Sequence, residues 1–131
     1  MPCPESFFDA YVTTALWSSN DESTPEGGEP FDANYSASDI APDALATMRA
    51  DCDLFYSQNR PALNCDGVTF GPDFDQDGRA GHDFWLTRNG HGAGFWDGDW
   101  PEPQATALTD AAREFNECDL YLGDDKLIYI V

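Results

Sequence analysis

A small α+β fold is predicted by three features of the chain. Apolar residues recur at helical spacing near the start, before residue 60 and again after residue 104. Runs of aromatic and β-branched residues bounded by Gly and Asn mark strands around 83–96 and 119–131. A length of 131 residues suits one domain, and an aromatic content of 14% can supply its core. The expected architecture is a small antiparallel sheet of about four strands, in two hairpins, with about three helices packed on it.

The first helix is read over 5–18, where Phe7, Phe8, Tyr11, Ala15 and Leu16 share one face. The stretch 18–30 is rich in Glu, Ser, Gly and Pro. It is expected to be a mobile acidic loop carrying Asp21, Glu22, Glu26 and Glu29. A second helix begins near Pro42, with Ser38 or Asp39 before it as cap. Leu45, Met48, Cys52 and Phe55 form its buried face, and Pro61 ends it by Arg60.

Residues 61–82 read as irregular. Asp83-Phe84-Trp85-Leu86-Thr87-Arg88 then reads as a strand, Asn89-Gly90-His91-Gly92-Ala93-Gly94 as a turn, and Phe95-Trp96 as the start of the return strand. An acidic loop spans 97–103. The third helix covers Gln104 to Asn116 and buries Leu108, Ala111, Ala112 and Phe115. The chain closes on a second hairpin, with strands at 119–122 and 126–131 around the turn Gly123-Asp124-Asp125.

The charge pattern narrows the function classes. Twenty-five acids stand against six bases, a formal net charge of −19, and Lys126 is the only lysine. Such a surface repels nucleic acid phosphates and anionic membranes, so no direct contact with either is expected. Basic proteins and metal cations are the natural partners. The competing reading is solubility or adaptation to high salt. The start, Met-Pro-Cys-Pro-Glu, has no basic leader region, and no apolar run is long enough for a membrane span, so the expected place of action is the cytoplasm. Cys3, Cys52, Cys65 and Cys118 contain no C-x-x-C pair and are expected as free thiols.

Two short stretches could carry chemistry. Asp73, Asp75 and Asp77 alternate before Gly78, like the opening of a Ca²⁺-binding loop that gathers carboxylate oxygens around a tight turn. The twelfth position is Phe84 where a bidentate Glu belongs, so the match is partial and Ca²⁺ is a possible rather than a required cofactor. The second stretch runs from Ala80 to Asp97 and holds both histidines. Glycines in a turn expose backbone N–H groups to an anion, and His82, Asp83, Arg88, Asn89 and His91 around it are the candidate ligand-binding set. Against this stands a plain structural role for the same residues. No nucleophile elbow, P-loop or zinc-protease motif is present, so an enzyme is not the favoured reading.

The string Ala80-Gly-His-Asp-Phe-Trp-Leu-Thr-Arg-Asn-Gly-His-Gly-Ala-Gly-Phe-Trp-Asp97 resembles a family of small uncharacterised proteins encoded by tailed phages and prophages. The resemblance extends to FDAYVTTALWSSNDE near the start, NYSASDIAPDALATMRADC in the second helix and DLYLGDDKLIY at the end. It leaves out only 61–79 and 97–104. It implies an accessory protein made in the host cytoplasm and implies no particular reaction. The first functional expectation is therefore binding to a basic host protein, in the manner of a DNA mimic that inhibits a nucleic-acid-handling or defence protein. Asp97, Asp99 and Glu102 would supply charge, and Trp100 the apolar anchor. The alternative is a small ligand- or metal-binding protein or enzyme using the Gly-rich hairpin around Arg88 and His91.

Overall fold

The computed structural model describes residues 2–23, 28–91 and 93–131. Among these residues, four α-helices and two small antiparallel strand pairs make an α+β fold. Helix α1 is Glu5–Ser18, α2 is Pro42–Leu63, α3 is Gln76–Arg88 and α4 is Gln104–Arg113. Strands β1 (Asn20–Asp21) and β2 (Glu29–Pro30) pair with each other, as do β3 (Leu120–Leu122) and β4 (Ile128–Ile130). Two 3-10 turns, Phe31–Ala33 and Ala37–Asp39, lead from β2 to α2.

Helix α1 lies where its periodicity predicts. The expected acidic loop over 18–30 is instead bracketed by the β1–β2 pair, and its centre, with Glu26, lies outside the described residues. Helix α2 starts at Pro42 as expected, but Ser36 and Asp39 cap the preceding 3-10 turn rather than α2 itself. The helical path breaks at Asn59, two residues before Pro61, and a further short helical piece continues to Leu63. Proline disfavours helical geometry just before it and its ring crowds the preceding turn, which places a kink there rather than an end.

The largest correction concerns 83–96. Asp83 to Arg88 is the second half of helix α3, not a strand, and the sequence-predicted first hairpin does not exist. Asp75 caps α3 by accepting the Gly78 N–H at 2.6 Å. The Asn-Gly pair closes the helix. Gly90, at φ +69°, donates to the Thr87 carbonyl, and His91 donates to the Leu86 carbonyl, which is a Schellman C-terminus. The second hairpin forms as predicted, with Tyr121 opposite Tyr129. Ala41 donates to the Ile128 carbonyl at 2.8 Å and ties that hairpin to the start of α2. The strands therefore form two separate pairs, not one sheet.

The core is one continuous cluster of aromatic rings. Phe55 of α2 stacks on Phe84 of α3 at 4.1 Å, and Phe7 and Tyr11 of α1 meet Phe84 at 6.2 and 5.3 Å. Phe95 and Phe115 close the cluster from the loops after α3 and α4. This apposition requires α1 and α3 to approach closely, and Gly81 permits it. A Cβ at residue 81 would stand 2.0 Å from the Phe7 carbonyl oxygen, a backbone atom that cannot turn aside. Gly81→Ala is therefore expected to force the two helices apart and cost at least about 3 kcal/mol, the upper range of overpacking penalties. Urea denaturation measures it. A loss below about 0.5 kcal/mol, the scale of ordinary surface substitutions, would contradict this account of the packing.

Candidate functional site

Arg88 points inward. Its Nη1 donates to the Tyr11 hydroxyl at 3.1 Å and to Asp51 Oδ2 at 2.9 Å, its Nη2 to the Phe115 carbonyl at 2.8 Å, and its Nε to the Asn116 carbonyl at 2.9 Å. Every nitrogen of the guanidinium is thus engaged, and the residue is 6% exposed. A buried cation persists only when paired and well hydrogen-bonded, and this one is paired with Asp51 and makes four hydrogen bonds. Asn89, one residue on, is equally occupied. Its Nδ2 donates to the Trp85 carbonyl and its Oδ1 accepts from the Cys118 N–H. Arg88 joins helices, whereas Asn89 ties the end of α3 to the segment after α4 and lines a cleft there.

His82 and Asp83 lie on a different side of α3. The Asp83 carboxylate is buried, with Oδ1 2.8 Å from His82 Nδ1 and Oδ2 accepting from Trp100 Nε1 at 2.8 Å. Arg79, one turn earlier, approaches both Asp83 and Asp99 at 3.9 and 4.0 Å. The imidazole sits between Phe74, 5.2 Å away, and Trp17, 6.0 Å away. Trp100 is consequently a core residue at 4% exposure, not an exposed anchor. The exposed indole of that loop is Trp96, at 47%.

His91 stands apart from His82. It lines a cleft of about 480 Å³ with Glu22, Glu117 and Asp119, between the ends of α1 and α3 and the approach to β3. The neighbouring Gly92 lies outside the described residues. Of the five candidate ligand residues, Asn89 and His91 share this cleft, while His82, Asp83 and Arg88 lie elsewhere. Of the three aspartates of the calcium-like stretch, Asp73 and Asp75 line one cleft beside α1. Asp75 is occupied at the α3 N-terminus, Asp77 enters the first turn of that helix, and Asp73 lies before it. Among the described residues no group of three His, Cys, Asp or Glu side chains is placed to hold a metal ion.

Of the acidic loop residues, Glu102 reaches forward to Thr106, accepting from its N–H and its hydroxyl at 2.9 Å each, and so caps α4. Asp97 accepts from the Gly94 N–H at 3.3 Å. Burial, and then the neighbouring Asp97, push the Asp99 carboxyl above the usual aspartate range, with Arg79 opposing. The four cysteines are free. Burial, reinforced by Asp53, pushes Cys3 up to about 12, and burial also raises Cys52, Cys65 and Cys118. None of them is a ready thiolate at neutral pH. Asp51, Tyr11 and Arg79 were not anticipated from sequence; the Arg79–Asp83 spacing of four on one helix was the available signal.

In comparisons with known proteins, no family model, no curated protein and no solved structure matches the chain.

Two outcomes follow from these contacts. Arg88→Ala should lower folding stability by about 3–5 kcal/mol, as expected when one partner of a buried pair is removed. A loss under about 0.5 kcal/mol by chemical denaturation would instead mark Arg88 as a free surface group. The second concerns pH. Asp99 is raised in the folded state, so its contribution to stability is complete below the ordinary aspartate value of about 3.9 and is lost as pH rises through the raised value. Asp97→Asn removes the repulsive neighbour and should flatten the dependence of Tm on pH just above that ordinary value. An unchanged slope would exclude the coupling.

Proposed function

We propose that this protein is a small phage accessory factor that acts by binding a basic, nucleic-acid-handling host protein in the host cytoplasm. One observation carries the reading: Arg88 and Asp83 are consumed inside the fold, while most of the described carboxylates are exposed. Arg88 ties α3 to α2, and Asp83 holds the Trp100 indole. Asp66, Asp97, Asp110, Glu114, Glu117 and Asp124 are exposed. Arg49, Arg79 and Arg88 each stand within 4.0 Å of an acid of the same chain, and 25 acids against six bases leave the net charge at −19. Among the described residues no helix is long and apolar enough to cross a membrane.

A surface of this kind accelerates encounter with a positive cleft and disfavours acidic partners. Charge alone gives little affinity at exposed positions, so an apolar contact must accompany it. Trp96 takes the anchoring role first assigned to Trp100, since it is exposed and adjoins Asp97. The loop bearing Asp66 lies alongside, because Thr69 donates to the Asp99 carbonyl at 2.8 Å.

The test is affinity capture from host lysate followed by kinetics on the purified partner. The partner should be basic, should be displaced by duplex DNA, and should dissociate as salt rises from about 0.1 M to about 1 M, where screening shortens from about 10 to about 3 Å. Asp66→Lys with Asp97→Lys should slow association about tenfold, while Trp96→Ala should mainly speed dissociation. Binding that is equally strong at both salt concentrations would overturn the proposal and leave the acidity as a solubility or salt adaptation.

A further inference from the structure

We infer that the groove between α1 and residues 31–45 is an anchor pocket, taking a large apolar side chain from a lysine- or arginine-rich segment of a protein partner. This rests on the acidic-binder reading above and adds a second apolar contact to the one given to Trp96.

The groove encloses about 380 Å³. That lies within the range of pockets that bury a sizeable ligand group, about 300–1,000 Å³. Phe8, Val12 and Leu16 of α1 form one wall, and Tyr35 and Leu45 form the other. Two exposed carboxylates stand on its rim, Asp9 on the α1 side and Asp32 on the facing 3-10 turn. Among the described residues neither carboxylate makes a hydrogen bond or ion pair, so both are available to a cation from outside. An apolar floor with an acidic rim matches an apolar side chain flanked by basic ones.

The chain already uses this chemistry at the same wall. The Arg49 guanidinium lies 3.9 Å from the centre of the Phe8 ring and donates to Glu5 at 3.0 Å. A partner arginine beside Asp9 would repeat that combination of aromatic face, guanidinium and carboxylate. Other occupants are disfavoured by charge. A second copy of this chain would bring another −19, and an anionic lipid surface would be repelled in the same way.

The probe is a helical peptide of Leu and Lys, about 18 residues long, with Leu at helical spacing; its control is a Lys/Ser peptide of equal charge. Binding to the full chain is followed by amide chemical shifts at about 0.1 M salt, where only nearby charges act. The Leu/Lys peptide should bind at least about tenfold tighter than the control, as an apolar anchor implies. Its shifts should centre on Val12, Leu16, Tyr35 and Leu45. Thr13→Trp and Ala37→Trp fill the groove from two different elements, and both positions are exposed, so the fold should tolerate them. Each should erase the advantage of the Leu/Lys peptide and leave the control unaffected, with unchanged Tm as the check on folding. Shifts centred elsewhere, or filled variants that bind the Leu/Lys peptide like the parent, would overturn the pocket while leaving the acidic-binder reading intact. Failure of both peptides to bind would overturn both.

Discussion

The buried guanidinium of Arg88 is the point at which the helices are tied. It reaches α1 through Tyr11, α2 through Asp51 and the chain leaving α4 through the Phe115 and Asn116 carbonyls. The surrounding rings of Phe84 and Phe115 stand 5.7 and 5.6 Å from its centre and exclude water. A charge in such a place demands complete satisfaction, and that demand sets where the four partner groups sit. Gly81, two turns earlier on α3, is the steric counterpart. It lets the helix come close enough to α1 for Arg88 to reach Tyr11.

The same constraint shapes the surface. A chain of net charge −19 has few cations, and Arg79 and Arg88 are held largely inside. Interior pairing therefore sets two of the six bases against Asp83 and Asp51 rather than against the exposed carboxylates. Repulsion among the exposed carboxylates disfavours compactness, so a dense aromatic core is needed to offset it. The stack of Phe55 on Phe84, with Phe7, Phe95 and Phe115 around it, supplies that core in a small volume. Fold and surface charge are thus linked through the placement of a handful of arginines.

The segment from Ala80 to Asp97 illustrates how a local pattern can mislead. Phe84, Trp85, Phe95 and Trp96 with an Asn-Gly between them satisfy every short-range criterion for a hairpin. The same Asn-Gly also satisfies the requirements of a helix C-terminus, where glycine adopts positive φ. Gly78 and Gly81 lower intrinsic helix propensity and so concealed α3, yet Gly81 is there because α1 passes too close for any side chain. Trp100 misled in a related way. Its acidic neighbours suggest a solvated loop, but its indole N–H serves the buried Asp83.

The sequence by itself determined the α+β class, helices α1, α2 and α4 to within a few residues, the terminal hairpin and the excess of negative charge. These depend on spacing, breakers and composition, which act over a few neighbouring residues. Tertiary structure alone decided that α3 is a helix, that Arg88 and Asp83 are internal ties, and that Trp96 rather than Trp100 faces solvent. Each of those outcomes is settled by groups distant in sequence, such as Asp51 with Arg88 or Phe7 with Gly81. Side chains of the same type are placed inside or outside according to whether such a partner is within reach, and no local pattern records that.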